Sequence, residues 1–232
     1  MNGMQLPLAV QLPQTAAFDS FVAGANAEAI GALKNGQSAY LFGAGGTGKT
    51  HLLMAAARAH NGAYLPWSAV ATAGLAVLDG YGHPRYLAID ELDLATTPGD
   101  GWQALLRLLD QRHQHRQITW CAALRPPDAL PDIAADLRTR LAQFPRYGLQ
   151  TLDEEGQRTL LLDGARRRGL KLPEDVVRWW LRHLPRNPAR VLKTLDHLDQ
   201  AALREQRRLT LPFVQSVLAA PAAESGQTGQ SR

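Results

Sequence analysis

The chain of 232 residues is 45% apolar and 20% charged, with one cysteine and a formal net charge of +4, enough for one α/β domain with a substantial core plus a small second domain. No run approaches the ~18 consecutive apolar residues of a membrane span, and the start lacks a basic-then-apolar export signal, so neither insertion nor secretion is predicted and a cytoplasmic location is expected. Cys121, alone in the apolar run 118–123, can form no internal disulfide and is expected in the core.

Residues 1–15 are apolar but broken by Pro7 and Pro13 and carry no helical or strand period, so an extended leader is expected. Strand patterns then appear near Ala39–Phe42, Ala63–Pro66, Tyr86–Ile89, Ile118–Ala123 and Tyr147–Leu149, separated by helical patterns near Ala27–Leu33, Lys49–Ala59, Trp102–Arg112 and Ile133–Ala142. Five strands alternating with helices predict a parallel sheet with right-handed crossovers, a three-layer αβα body over residues 16–150.

Gly43-Ala44-Gly45-Gly46-Thr47-Gly48-Lys49-Thr50, with an apolar strand before it and His51-Leu52-Leu53-Met54 after it, spells GxxxxGK[ST], the P-loop. Its glycines let the backbone curl so that successive N–H groups and the next helix's N-terminus face phosphate, while Lys49 brings a positive charge and Thr50 a hydroxyl for Mg²⁺. The predicted cofactor is ATP or ADP with Mg²⁺. Tyr86-Leu87-Ala88-Ile89-Asp90-Glu91 reads as a buried strand ending in two carboxylates, the Walker B arrangement, with Asp90 in the metal shell and Glu91 orienting the attacking water. Asp93 is expected to be solvated.

From Asp153 the strand pattern stops. Asp153 before Glu154-Glu155 makes a helix N-cap with an acidic first turn. Pro173 opens a helix whose apolar face is Val176, Val177, Trp180, Leu181 and Leu184, with Trp179 off that face. Pro188 opens another with Val191, Leu192, Leu195 and Leu198, and Thr210 with Pro212 begins a short last helix ending near Leu218. A small all-helical domain is therefore expected over 151–220, followed by a Gly/Ser/Gln-rich disordered tail over 221–232. Residues 1–111 carry five Lys/Arg against eight Asp/Glu, and residues 112–208 carry nineteen against twelve, so the positive charge is concentrated in the C-terminal half. Such a surplus serves nucleic acid, an acidic partner or bound triphosphate, or is simply a solvated helix face.

A P-loop αβ body followed by a helical lid resembles the AAA+ arrangement. Phe18-Asp19-Ser20-Phe21 with Gly24-Ala25-Asn26 resembles the box that opens the ATPase domain of the bacterial initiator DnaA, where it lines the adenine pocket. Arg125-Pro126-Pro127, Leu130-Pro131-Asp132 and Leu137-Arg138-Thr139-Arg140-Leu141 resemble that family's arginine-finger stretch, which puts the finger on Arg140. In Arg186-Asn187-Pro188-Ala189-Arg190, Arg190 takes the place of the sensor 2 arginine; Arg138 and Arg186 compete for the two roles. The sensor 1 position falls on the apolar pair Ala123-Leu124. Initiators continue into a DNA-binding domain for which this sequence has no counterpart, and a DnaA-like body and lid with the leader Gln5-Leu6-Pro7-Leu8-Ala9-Val10 is similar to the DnaA regulatory inactivators, the Hda family.

That resemblance implies a regulator of replication initiation that binds adenine nucleotide, attaches to the polymerase III sliding clamp through Gln5, Leu6, Leu8 and Val10, and promotes hydrolysis of DnaA-bound ATP. Gln11-Leu12-Pro13 offers a second register for the clamp peptide. The expected partners are DnaA and the clamp, with self-association also open, no membrane contact, and direct DNA binding weak or indirect. The alternative is a DNA-acting AAA+ ATPase such as a helicase loader, with the basic lid as the DNA surface. A small-molecule kinase fits poorly, because the lid offers no second substrate site.

Overall fold

A computed structural model describes residues 12, 16–96 and 100–219, so the leader peptide and the tail lie outside the described residues. Five strands, β1 (Ala39–Phe42), β2 (Ala63–Pro66), β3 (Tyr86–Asp90), β4 (Ile118–Ala123) and β5 (Arg146–Gly148), form one parallel sheet in the order β2-β3-β4-β1-β5. Their near-continuous apolar runs are explained by two covered faces. Ala39, Leu41, Ala88, Trp120 and Ala122 enter one core with the first two helices, α1 (Ala27–Lys34) and α2 (Lys49–Ala59). Tyr40, Leu87, Ile89, Cys121 and Ala123 enter the other, against α3 (Trp67–Ala73), α4 (Gly101–Gln114) and α5 (Ala135–Ala142). The expected three layers are present, and Cys121 is buried as expected.

The differences from the sequence expectation are local. Strand β5 runs one residue earlier than its pattern, and α5 starts at Ala135 rather than Ile133, because Asp132 takes a left-handed conformation (φ 50°) and Ala134 is extended. Helix α3 and the following 3-10 stretch Leu75–Gly82 have no counterpart in the reading, since glycines at 74, 80 and 82 interrupt any period. That stretch is tied down by Arg112. Arg112 lies in the core, where Nε donates to Thr119 Oγ1 (2.8 Å), Nη1 to the carbonyls of Tyr81 (2.8 Å) and Pro84 (2.9 Å), and Nη2 to the carbonyl of Ile118 (2.6 Å). Burial pulls its pKa down to about 10, which leaves it charged at neutral pH with neutral acceptors spreading the charge.

The described residues divide into two compact units that meet between Gly156 and Gln157. The second is built on α6 (Glu154–Arg167), α7 (Glu174–His183), α8 (Pro188–Glu205) and α9 (Leu211–Ala219). Asp153 caps α6 as expected, its Oδ1 accepting from Gly156 N–H at 2.8 Å, and Asn187 Oδ1 accepts from Ala189 and Arg190 N–H (3.0 and 3.3 Å) at the start of α8. Val176, Val177, Trp180, Val191, Leu195, Leu198, Phe213 and Val214 are buried. Gly164 lets α6 and α8 approach, since a Cβ there would lie 2.8 Å from Leu195 Cδ1. Trp179 is half-buried and stacks on His183, with ring centroids 5.1 Å apart.

Candidate functional site

Strand β1 leads into the loop 43–48 and then directly into α2, the geometry that the glycine pattern predicts. Gly48 has φ 92°, and a Cβ on it would lie 2.4 Å from Phe21 Cε2, so both backbone conformation and packing demand glycine there. Lys49 is buried and its Nζ donates to the carbonyls of Gly43 (2.6 Å) and Ala44 (2.9 Å). Among the described residues no carboxylate lies within ion-pair distance of it. Burial lowers its pKa below the ordinary lysine value, against the opposing pull of Asp90 and Asp93. A buried ammonium served only by neutral loop carbonyls at a helix N-terminus fits an anion such as a phosphate. Thr50 is exposed on the first turn of α2, and Ala44 and Gly45 are exposed on the loop. Thr47 Oγ1 braces the loop by donating to Ala44 O at 3.0 Å.

The Walker B strand delivers its acids beside this loop. Tyr64 on β2 pairs with Ala88 on β3, so Asp90, two residues on, emerges on the same sheet face diagonal to Tyr64. The Tyr64 hydroxyl donates to Asp90 Oδ2 at 2.9 Å and Glu91 N–H to Oδ1 at 2.8 Å, which fixes the buried carboxylate from both sides. Burial, then the charge of Asp90, pushes the Tyr64 phenol far above its ordinary pKa and keeps it a donor. Glu91 takes the left-handed conformation (φ 61°), unusual for a residue with a side chain, and its Oε2 accepts from Ser68 N–H at 3.1 Å. Asp93, expected to be solvated, is half-buried and accepts from Leu124 N–H at 2.5 Å. That bond joins the loop after β3 to the end of β4. At the sensor 1 position Ala123 is buried, while Leu124 is 52% exposed and brings no polar side chain.

The N-terminal box packs against the same loop and helix. His51 Nε2 lies 3.1 Å from Ser20 Oγ and 3.0 Å from Ala17 O, and its ring centroid is 5.7 Å from that of Phe21. Asn26 is buried and clamps Gln150, donating to its carbonyl (3.0 Å) and accepting from its N–H (2.8 Å). Residues 18–26, 43–51, 90–91 and 93 thus converge within the first unit. Tyr64 carries no local signal in the sequence, because only the β2–β3 register brings it to Asp90.

Arg140 sits on α5, where its polar contacts are to Asp110 of α4 (Nη2 to Oδ1, 2.5 Å) and to Gln143 (Nη1 to Oε1, 2.9 Å) rather than to the P-loop. Arg138 is exposed, with one long bond to Ile133 O at 3.4 Å. Arg190, on the first turn of α8 in the second unit, and Arg186 before it are both exposed. Gln5, Leu6, Leu8 and Val10 lie outside the described residues.

Residues 153–218 match the family model for the lid domain of Hda. The fold is similar to domain III of the Thermotoga maritima replication initiation protein DnaA, with TM-score 0.79 and 18% identity, covering 89% of this chain and 97% of that one. It is also similar to AMPPCP-bound DnaA from Aquifex aeolicus (TM-score 0.71, 17% identity, 85% of this chain and 70% of that one) and, with the same values, to a DnaA bound to AMPPCP and single-stranded DNA. The chain thus joins a segment that matches the Hda lid-domain model to a P-loop body whose fold is similar to that of DnaA.

Proposed function

We propose that the chain binds ATP or ADP with Mg²⁺ and, attached to the sliding clamp, promotes hydrolysis of ATP held by the initiator DnaA. The observation that carries the nucleotide reading is Lys49, a buried cation at the start of a helix whose partners among the described residues are two loop carbonyls. Bound nucleotide analogue in the similar DnaA structures supports the same reading. Residues 43–51 would hold the phosphates, and Thr50 and Asp90 would hold the metal ion, which would supply positive charge against the phosphates. Glu91 would polarise a water for the chain's own slow turnover, and Arg190 would reach nucleotide from the lid.

The regulatory half of the proposal rests on the Hda lid and on Arg140. Its guanidinium is permanently charged, half-buried and directed to α4 rather than to its own P-loop, as suits a finger offered to another subunit's nucleotide. The leader, with Gln5 as polar anchor and Leu6, Leu8 and Val10 as apolar ones, would be the clamp ligand. The expected setting is the cytoplasm, with DnaA and the clamp as partners, self-association available, and DNA approached through the clamp. Retention of the purified chain on immobilised clamp, together with ADP binding by calorimetry, tests the proposal. A chain that passes through the clamp column, or that shows no heat with ADP or ATP, contradicts it.

A further inference from the structure

We infer that Asp110 is a positioning residue for Arg140, holding its guanidinium ready for a phosphoryl group of a neighbouring subunit; this rests on the reading of Arg140 as a finger. Two partners from different elements hold the two terminal nitrogens: Asp110 Oδ1 of α4 forms an ion pair with Nη2 at 2.5 Å, without hydrogen-bond geometry, and Gln143 Oε1, just after α5, accepts from Nη1 at 2.9 Å. Among the described residues Nε–H and further N–H groups on the terminal nitrogens have no hydrogen-bond acceptor, enough for a forked contact with phosphate oxygens. Arginine has large rotamer freedom, and freedom already surrendered in the free protein is not lost again on contact.

The anchor is the stiffer of the two elements. Asp110 follows the buried Leu109 and precedes by two residues the buried Arg112, whose four hydrogen bonds tie α4 to β4 and to the segment before β3. Arg140 stands near the end of the eight-residue α5, which has only Leu137 and Leu141 buried. A short, lightly anchored helix gains definition from a fixed neighbour.

The test compares wild type, Asp110→Ala, Asp110→Asn and Arg140→Ala in single-turnover hydrolysis of DnaA-bound ATP with clamp loaded on DNA. Asp110→Ala should lower the maximal rate roughly tenfold, or ~1.4 kcal/mol, with half-saturation by the chain within about twofold of wild type. Asp110→Asn, which keeps an acceptor oxygen, should recover part of the loss. In ¹⁵N-arginine spectra, rotation about the Arg140 Nε–Cζ bond should be hindered in wild type and free in Asp110→Ala. A stimulated rate in Asp110→Ala that matches or exceeds wild type, while Arg140→Ala abolishes stimulation, overturns the inference and leaves the finger intact. Unchanged Arg140 dynamics in Asp110→Ala overturns it as well. Full stimulation by Arg140→Ala removes the finger reading itself, and the inference with it.

Discussion

Replacing Tyr64 by Phe removes one oxygen atom and nothing else from the proposed nucleotide site. The hydroxyl donates at 2.9 Å to a carboxylate that is 3% exposed, from a side chain itself 6% exposed, so water has little access to replace it. A hydrogen bond to a charged group is worth about 1.5–3 kcal/mol, which bounds the loss of stability. Asp90 would keep only the Glu91 N–H on Oδ1, and Oδ2 would be free to swing out of line. If half the lost energy appears as lost orientation toward Mg²⁺, nucleotide affinity in Mg²⁺ falls about three- to tenfold, ~0.8–1.5 kcal/mol. Affinity in EDTA should be unchanged, because Lys49 and the loop amides are untouched. The raised phenol pKa keeps Tyr64 a donor from pH 6 to 9, so the ratio should be flat over that range. Its contribution to stability is complete below the ordinary phenol pKa of about 10 and is lost as pH rises above it. The assay is titration of a fluorescent adenine nucleotide into wild type and Tyr64→Phe, with and without Mg²⁺. Equal losses with and without Mg²⁺, or no loss at all, would refute the role given to the Tyr64–Asp90 bond.

Three further outcomes are expected. Lys49→Ala should lose tight ADP binding by calorimetry while keeping its circular dichroism spectrum; undiminished affinity in the folded variant would remove the P-loop assignment. Deleting Met4–Val10 should abolish retention on immobilised clamp and leave nucleotide binding unchanged, and clamp affinity within twofold of wild type would place the contact elsewhere. The Cys121 thiol, fully buried and pushed up to about 12 chiefly by that burial, should react with a disulfide reagent at pH 8 only at the rate of global unfolding. Fast labelling of the native protein would contradict the packing of β4 between its neighbours.

Motifs whose chemistry depends on neighbours in the chain are legible in the sequence. The P-loop glycines, Lys49 and the acids after Ile89 each announce a backbone shape or charge within a few residues, and the βα alternation around them predicts the parallel sheet. Tyr64, Arg112 and Asp110 were not legible, because their partners lie 26, 6 to 31 and 30 residues away and meet only through strand register or helix packing. Asp93 looked like one more acid in a polar turn, and only the closeness of the β3 and β4 ends gives it the Leu124 amide. Helix α3 escaped for a related reason: Trp67 and Val70 enter the core, but two buried residues before a glycine make no period.

The proposed regulation depends on one residue and one reaction. With DnaA carrying radiolabelled ATP, and clamp loaded on DNA, single-turnover hydrolysis should accelerate on adding the wild-type chain. Loss of an arginine finger is worth about 10³–10⁵ in rate where the finger stabilises the transferring phosphoryl group. Arg140→Ala should therefore return hydrolysis to the level without the chain, while its own ADP affinity and clamp retention stay as in wild type. Full acceleration by Arg140→Ala, or none by the wild-type chain, would contradict the account.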